Sequence, residues 1–469
     1  MAKRRNLDVY LQQVSEQFIT IKYDDFKRSQ EVFKCVFDQI KKNMEKQCNY
    51  FKKYASQVTY GGSVSDGIKV GRLDEFDMDI VIRLPVSYGD GDDGIIVEPD
   101  RPGFVRLKIH GFDHLDKQKD WESSHKVTRD WRDTNKYLLQ NKFRFWLNSV
   151  VQKALNDMDY KATVGGKTYI LKYKSSGPAY TLLVRNSPGE EAFVLDIDLV
   201  PVIRFILPRW PPGYRKPRGH RCTEWFVVPK PNKAESNAEL QNRAWRLSFQ
   251  DFEREMIKDC KNLKFTIRLL KKLRDAQGMK PIASYYIKTL FLWKIEETNN
   301  KRYWETKLSV LFRDMVQKLH DAIQNKNIPY FWDQRNNLIE NLKPSLQAMY
   351  VEKLSTVLES IDNNDAEKTA FYLLTPQEQT FFRTTPFYRS VNGVDSKAPV
   401  RTAKAPTPPR LARDDASGLL QQLRISLERA ESLSAQVEEK DKRIAMLERE
   451  RKLNQVKPEP AKASSCSVQ

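Results

Sequence analysis

Two acidic residues in one strand-like segment have the type and spacing needed to hold metal ions. The sequence EFDMDIVIRLP, which begins at Glu75, alternates acidic and apolar residues in the manner of a β-strand. Because residues i and i+2 of a strand point to the same face, Glu75 and Asp77 are expected to project together, with Asp79 beside them. Carboxylates held close together on a rigid strand are the hard oxygen ligands that a pair of Mg²⁺ ions requires.

A second acidic segment supplies candidates for a third ligand. The sequence LDIDLVP, at residues 195–201, offers Asp196 and Asp198 on one face of a predicted strand. Their spacing alone leaves both candidates open. A single acidic pair would be explained as a solvated edge strand, whereas two such strands together favour a metal site.

A glycine-rich turn precedes the first acidic strand. Gly62 and Ser63 lie in YGGSVSDG, and eleven residues separate Ser63 from Glu75. Backbone amides at a glycine turn, together with a hydroxyl group, suit the phosphates of a nucleoside triphosphate. The combination of turn and acidic strands therefore predicts chemistry on phosphate groups.

The periodicity of the rest of the chain predicts an α+β protein. Apolar residues at helical spacing predict one long helix over residues 24–54, with lysines on its opposite face. Proline-rich, basic residues 208–233 predict a surface loop, and helical periodicity continues over residues 247–372. We therefore expect a sheet-containing catalytic lobe with the long helix (1–233), an all-α lobe (234–385), a disordered linker (386–415), and a charged helix and flexible tail (416–469).

Composition restricts the environment and the partners. The chain has 469 residues and a formal net charge of +19, which favours polyanionic partners such as nucleic acid. Its five cysteines are scattered without metal-binding spacing, as expected in a reducing compartment. The sequence offers neither a signal peptide nor a run of about 20 apolar residues that could span a bilayer. We expect a cytoplasmic protein without membrane contact.

The acidic strands and the Gly-Ser turn resemble those of the polymerase-β-like nucleotidyltransferases. Within that fold the chain is similar to the cyclic GMP-AMP synthase-like receptors of the male-abnormal protein superfamily, over roughly residues 10–385. The resemblance rests on G-S, E-F-D and D-L-V-P, and on the segments WRLSFQDFEREM, RLLKKLRD and ASYYIKT. It implies a bilobed nucleotidyltransferase with a mixed β-sheet, a long N-terminal spine helix and an all-α C-terminal lobe.

The resemblance also implies functional residues. Related oligoadenylate synthases place the third ligand just before a hydrophobic pair and a proline, which selects Asp198, with Asp196 as the alternative. The implied metal ligands and catalytic residues are Glu75, Asp77 and Asp198. The implied nucleotide contacts are Gly62, Ser63, Arg246, Ser248, Glu253, Lys271, Ser284, Tyr285 and Lys288.

The activity implied is the synthesis of a cyclic dinucleotide, cyclic GMP-AMP, from ATP and GTP in innate antiviral signalling. Two Mg²⁺ or Mn²⁺ ions would serve it. An oligoadenylate-type polymerase and a non-catalytic binding module on the same fold are the alternatives. The chain lacks the His and Cys zinc insertion of the vertebrate DNA sensor, since Cys260 is the one cysteine in that region. We therefore expect no zinc, and double-stranded RNA rather than DNA as the activator.

Three basic segments are candidates for the RNA-binding surface, and self-association on RNA or through the C-terminal helix is a further possibility. Each segment would read backbone shape rather than base sequence. They comprise Lys34, Lys41, Lys42 and Lys52 on the long helix; Arg215, Lys216, Arg218 and Arg221; and Lys258, Lys261 and Lys264.

Overall fold

A computed structural model describes residues 6–89, 94–176, 179–186, 193–216, 219 and 221–392. The chain divides into two compact units, Met1–Asp395 and Ser396–Gln469. The predicted charged helix and tail at 416–469 lie outside the described residues, as does most of the predicted linker.

The first unit contains a mixed β-sheet and a set of helices, as the sequence predicted. The strands of the large sheet are β1 (Ala55–Tyr60), β2 (Glu75–Ile82), β3 (Ile95–Pro99), β4 (Phe104–Ile109), β5 (Lys161–Val164), β6 (Lys167–Ser176), β7 (Ala179–Asn186), β8 (Val194–Ile206), β9 (Glu224–Val228) and β10 (Ala244–Ser248). A separate hairpin comprises β11 (Pro329–Tyr330) and β12 (Asp333–Asn337).

The long strand β8 organises the sheet. Its first half pairs in parallel with β2 and antiparallel with β7, while its last residues pair with β9. From β8 the sheet continues through β7 and β6 to β5 on one side, and through β9, β10 and β4 to β3 on the other. Strand β1 covers the free side of β2. The parallel β2–β8 pair brings the two acidic segments side by side, which fixes the position of the site.

Fourteen α-helices are assigned among the described residues. They are α1 (Leu7–Val14), α2 (Tyr23–Gln47), α3 (Asn49–Tyr54), α4 (Gly62–Ser65), α5 (Gln140–Asp157), α6 (Ala238–Arg243), α7 (Gln250–Ile257), α8 (Leu263–Ala276), α9 (Ser284–Thr298), α10 (Leu308–Gln324), α11 (Pro344–Asp362), α12 (Ala366–Tyr372), α13 (Pro376–Thr384) and α14 (Pro386–Asn392). Short 3₁₀ or π segments cover Ser15–Ile19, Gly111–Lys117, Trp121–His125, Lys126–Trp131 and Lys301–Glu305.

The spine helix is shorter than its apolar periodicity suggested. Helix α2 ends at Gln47, because Cys48 adopts an extended conformation (φ −147°, ψ 110°) before α3 begins. The apolar face of α2 is buried against α5 and the sheet. Its Phe33 ring stacks on Phe76 of β2 with centroids 4.2 Å apart. The spine therefore packs directly behind the acidic strand.

Two predicted domain boundaries are wrong. Strand β10 pairs with β4 and β9, so the catalytic lobe extends past the predicted limit at residue 233. Residues 386–392 form α14 rather than linker: Phe387 packs edge-on against Tyr10 with centroids 5.1 Å apart, and the Tyr388 hydroxyl donates to Glu367 at 2.5 Å. Both errors arose because proline-rich or polar composition favours a loop or linker, whereas tertiary contacts hold these residues in regular structure.

The proline-rich segment 208–233 is not entirely a loop. Strand β9 lies within it and carries the buried Trp225, Phe226 and Val227 between β8 and β10. In the part of the chain that the structure describes, no helix has the length and apolar character needed to cross a membrane.

Candidate active site

The parallel strands β2 and β8 bring three carboxylates together at one place. Asp77 is the register partner of Asp198, and Glu75 precedes Asp77 by two residues on the same face. One oxygen from each of these three residues lies within 4.8 Å of the others. Glu75 is exposed, while Asp77 and Asp198 are half-buried. The three predicted ligands therefore form one oxygen-only cluster open to solvent on one side.

The cluster is electrostatically unfavourable without a cation. Burial raises the pKa of Asp77 to about 6, and the neighbouring Glu75 and Asp198 carboxylates contribute to the rise. Burial also raises the pKa of Asp198, although the Thr181 hydroxyl opposes the shift by donating a 2.5 Å hydrogen bond to its Oδ1. Partly buried like charges of this kind are what a divalent cation neutralises, so the donor set fits such an ion.

Two further acidic residues, which the sequence places near the predicted metal ligands, do not join the cluster. Asp196, the alternative third ligand, accepts a 2.9 Å hydrogen bond from Arg185. Asp79, which was expected beside Glu75 and Asp77, is buried and accepts a 2.8 Å hydrogen bond from the amide of Gln250. Burial raises its pKa to about 7. Asp79 therefore links β2 to α7 instead of facing the site.

The Gly-Ser turn, residues 61–68, lies directly against the cluster. The Gly61 amide donates to the Asp77 carbonyl at 2.9 Å, and Gly62 and Ser63 begin the single-turn helix α4. Gly62 has a φ of +67°, and a Cβ at this position would lie 1.6 Å from Oδ2 of Asp77. Glycine is required there both by the backbone conformation and by the carboxylate. The turn therefore lies beside the carboxylate cluster, with Gly62 in contact with Asp77.

The predicted nucleotide contacts on β10 and at the start of α9 remain accessible. Arg246 and Ser248 lie on β10 with intermediate exposure. Ser284, the first residue of α9, accepts a 2.7 Å hydrogen bond from Arg274. Lys230 follows β9, two residues after Val228, the register partner of Arg246, and its pKa is lowered to about 8 by burial and by the positive charges of Arg246 and Lys233. This region is a half-buried cationic surface suited to an anionic ligand.

The remaining predicted contacts are engaged within the protein: Glu253, Lys271 and Lys288 are buried, and Tyr285 is half-buried. Glu253 accepts hydrogen bonds from the Tyr285 hydroxyl at 2.7 Å and from the Trp332 indole at 2.9 Å. Lys288 pairs with Glu253 at 2.9 Å, and Lys271 donates at 2.8 Å to the Ile68 carbonyl. The implied phosphate-binding lysines of α8 and α9 therefore contact protein groups in this conformation.

The structure separates the predicted RNA-binding residues by accessibility. Lys41 is half-buried and 3.9 Å from Glu45, while Arg215 pairs with Glu296 and packs on the ring of Phe331 at 4.7 Å. Arg215 is therefore held by contacts within the protein. Lys264 is also half-buried, and Arg218 lies outside the described residues. The exposed members are Lys34, Lys42, Lys52, Lys216, Arg221, Lys258 and Lys261.

Several residues that shape the site were missed from the sequence. Thr181 orients Asp198, and Lys69 places its ammonium 3.3 Å from Glu75 Oε2. Arg254 and Asp66 connect the Gly-Ser turn to helix α7. Nothing in the sequence showed that β7, which carries Thr181, would adjoin β8.

A mixed sheet that carries a carboxylate triad beside a glycine turn, followed by a helical lobe, defines a nucleotidyltransferase. Residues 64–259 match the Mab-21 protein nucleotidyltransferase domain, and residues 262–356 match the Mab-21 protein HhH/H2TH-like domain. The chain belongs to this nucleotidyltransferase family, together with proteins named cyclic GMP-AMP synthase-like receptors.

Three such receptors illustrate the similarity. The protein of Aethina tumida is 32% identical over 386 residues, which cover 81% of this chain and 94% of its own. That of Ctenocephalides felis is 32% identical, covering 84% and 95%. That of Tribolium castaneum is 33% identical, covering 79% and 92%. The similarity therefore spans both lobes.

Proposed function

We propose that the protein joins ATP and GTP into a cyclic dinucleotide, cyclic GMP-AMP, as a signal in innate antiviral defence. The observation that carries the proposal is the complete site: Glu75, Asp77 and Asp198 form one cluster, with Gly62 and Ser63 beside it. A non-catalytic binding module has no need of such a cluster, which is costly in the absence of a cation. The names of the similar receptors support the choice of product.

Each part of the site has a distinct role in this proposal. Mg²⁺ or Mn²⁺ ions at the triad would activate the attacking hydroxyl and neutralise charge on the α-phosphate and the pyrophosphate. The amides of the Gly-Ser turn and the Ser63 hydroxyl hold the donor triphosphate. Arg246 and Ser248 orient the acceptor nucleotide, and Tyr285 contributes a ring for stacking on a base. Zinc has no role in this scheme.

Product analysis tests the proposal directly. The full-length protein is incubated with labelled ATP, GTP or both, with Mg²⁺ or Mn²⁺, and with or without double-stranded RNA. A single cyclic product that requires both nucleotides, and that persists with a zinc-selective chelator, is the expected result. A ladder of linear oligomers from ATP alone would favour the oligoadenylate-type polymerase. The absence of product under every condition would favour the binding module.

The activator is part of the proposal. We expect long double-stranded RNA to bind the exposed lysines of α2 and α3, because a surplus of positive charge favours polyanions. Such binding is independent of base sequence. It weakens steeply as the salt concentration rises, because binding releases counterions from the RNA and added salt opposes that release. The spine helix that carries these lysines packs on β2 through Phe33 and Phe76, which gives RNA binding a route to the acidic strand.

Charge reversal on the spine separates activation from catalysis. The variant with Lys34→Glu and Lys42→Glu should retain basal synthesis with Mn²⁺ but lose stimulation by RNA. A matched control reverses two exposed lysines of the helical lobe, Lys343 and Lys368. A normal RNA response in the spine variant would exclude this surface. If RNA of every length leaves synthesis unchanged, RNA sensing is excluded, while the enzymatic proposal stands.

A further inference from the structure

Cationic side chains from helices α7 and α8 hold both ends of the Gly-Ser turn. Arg254 of α7 donates from Nη2 to the Tyr60 carbonyl at 2.9 Å, just before the turn. Lys271 of α8 donates from Nζ to the Ile68 carbonyl at 2.8 Å, at its last residue. Two separate helices therefore fix the backbone on either side of the glycines.

A third helix reaches the middle of the same turn. Lys288 of α9 lies 2.6 Å from Oδ2 of Asp66 and 2.9 Å from Glu253, and all three residues are only 4–5% exposed. Burial alone would lower the pKa of Lys288, but the carboxylates of Glu253 and Asp66 outweigh it and raise the pKa. The ammonium therefore stays charged, and the ion pair acts without screening by solvent.

Asp66 is the side chain through which the turn makes this contact. Its second oxygen, Oδ1, is buried and makes no hydrogen bond among the described residues, yet it lies 3.4 Å from Nε of Arg254. Arg254 is the same residue that holds the Tyr60 carbonyl. Asp66 thus lies between cations from α7 and α9, and its removal would weaken two of the three attachments at once.

We propose that Asp66 is a positioning residue, through which the helical lobe holds the Gly-Ser turn in the shape that receives a nucleoside triphosphate. What the turn binds rests on the proposed function, whereas the attachment of the turn does not. In this scheme Lys288 acts on nucleotide affinity through Asp66. A turn that is ordered in only a fraction of the molecules binds its ligand more weakly by that same fraction.

The experiment compares Asp66→Asn and Arg254→Gln with a control, Asp157→Asn, which alters an exposed carboxylate at the end of α5. Hydrogen–deuterium exchange of residues 61–68 reports the order of the turn, and a fluorescent ATP analogue with Mg²⁺ reports affinity. We expect exchange to increase in both turn variants and affinity to fall about tenfold, with kcat at saturating nucleotide changed less than about threefold. Asp66→Glu, which keeps the charge, should recover part of the affinity.

The outcomes separate this proposal from the proposed function. Unchanged exchange at residues 61–68 in the folded variants would overturn the role of Asp66, whatever the affinity. Faster exchange in a protein that binds no triphosphate would support the attachment and reject the proposed function. Should Asp66→Asn fail to fold, Arg254→Gln still decides the matter, because Arg254 is only partly buried and holds the turn from its other end.

Discussion

The Asp77 carboxylate occupies the space into which a side chain at Gly62 would extend. A Cβ at Gly62 would lie 1.6 Å from Oδ2 of Asp77, and the nearest atoms around it all belong to that residue. The Gly-Ser turn and the carboxylate cluster are therefore built as one unit, because the turn can approach Asp77 only if residue 62 is glycine.

Replacing Gly62 by alanine should abolish synthesis. The methyl group must displace either the turn or Asp77, and it also strains a backbone with φ near +67°. Gly71→Ala is the matched control, since Gly71 has a φ of +76° but nothing within 4 Å of its Cβ. Product formation and thermal unfolding are measured for both. Comparable loss of activity in the two variants would show that strain, rather than the contact with Asp77, is responsible.

Asp198 and Asp196 should respond differently to neutralisation. Asp198 lies in the triad, so Asp198→Asn should lower kcat by at least about a hundredfold, because the loss of a residue that merely supports a metal ligand already costs about 10–100-fold. Asp196→Asn loses a partly exposed ion pair with Arg185 and should retain activity within a few-fold. The kinetic comparison would contradict the assignment if Asp196→Asn proved the more damaging variant.

The choice between these two aspartates shows where sequence reasoning stopped. The alternation of side chains along a strand placed Asp196 and Asp198 on one face, and likewise Glu75 and Asp77. This two-residue alternation depends on local backbone geometry alone. The register of β2 against β8 aligns Asp77 with Asp198, and it depends on packing along the whole strand. The family resemblance selected Asp198 where the spacing left both open.

Asp77→Asn should stabilise the metal-free protein. Burial and two neighbouring carboxylates raise the pKa of Asp77 from 3.8 to about 6, so its negative charge lowers the stability of the fold at every pH above that value. The shift corresponds to at most about 3 kcal/mol at pH 7.5. We expect the melting temperature in a chelator to rise by roughly 2–5 °C.

Added Mn²⁺ provides the control for that change. The ion should raise the melting temperature of the wild-type protein and have little effect on Asp77→Asn, because the variant lacks one charged ligand. A lower melting temperature for Asp77→Asn in the chelator would mean that the carboxylate is stabilised by partners other than a cation.

Non-local contacts also explain the errors in the predicted lobes. The resemblance gave the bilobed fold, and helical periodicity gave α2, yet the periodicity ran past Cys48, where the backbone is extended. Strand β10 is only five residues long, and its place in the sheet depends on pairing with β9 and with β4, which lies more than 100 residues earlier in the chain. The three cations around the Gly-Ser turn come from three helices, which no local pattern brings together.

The position of the C-terminal boundary can be tested by truncation. A chain ending at residue 395 keeps α14, and we expect it to fold and catalyse normally. A chain ending at Thr385 loses the packing of Phe387 on Tyr10 and the hydrogen bond from Tyr388 to Glu367. Loss of these half-buried rings should cost about 2 kcal/mol, measured by chemical denaturation. Equal stability of the two chains would return the boundary to residue 385.

The stability of the protein should depend on pH through Lys271. Burial lowers the pKa of this ammonium from 10.5 to about 8, so the folded protein releases the proton before the unfolded chain does. The unfolded state then binds more protons between about pH 8 and 10.5, and stability contributed by this residue rises with pH over that window. Relative to Lys271→Met, the wild-type protein should gain at most about 3 kcal/mol from pH 7.5 to 10.

Chemical denaturation at several pH values measures this difference. Lys343→Met, which removes an exposed ammonium, should follow the wild-type curve, because solvent already screens that charge. The gain specific to Lys271 arises because the neutral amine can still donate to the Ile68 carbonyl without the cost of burying charge. If Lys271→Met and the wild-type protein change in parallel with pH, then Lys271 is solvated, and its hold on the Gly-Ser turn is weaker than its geometry indicates.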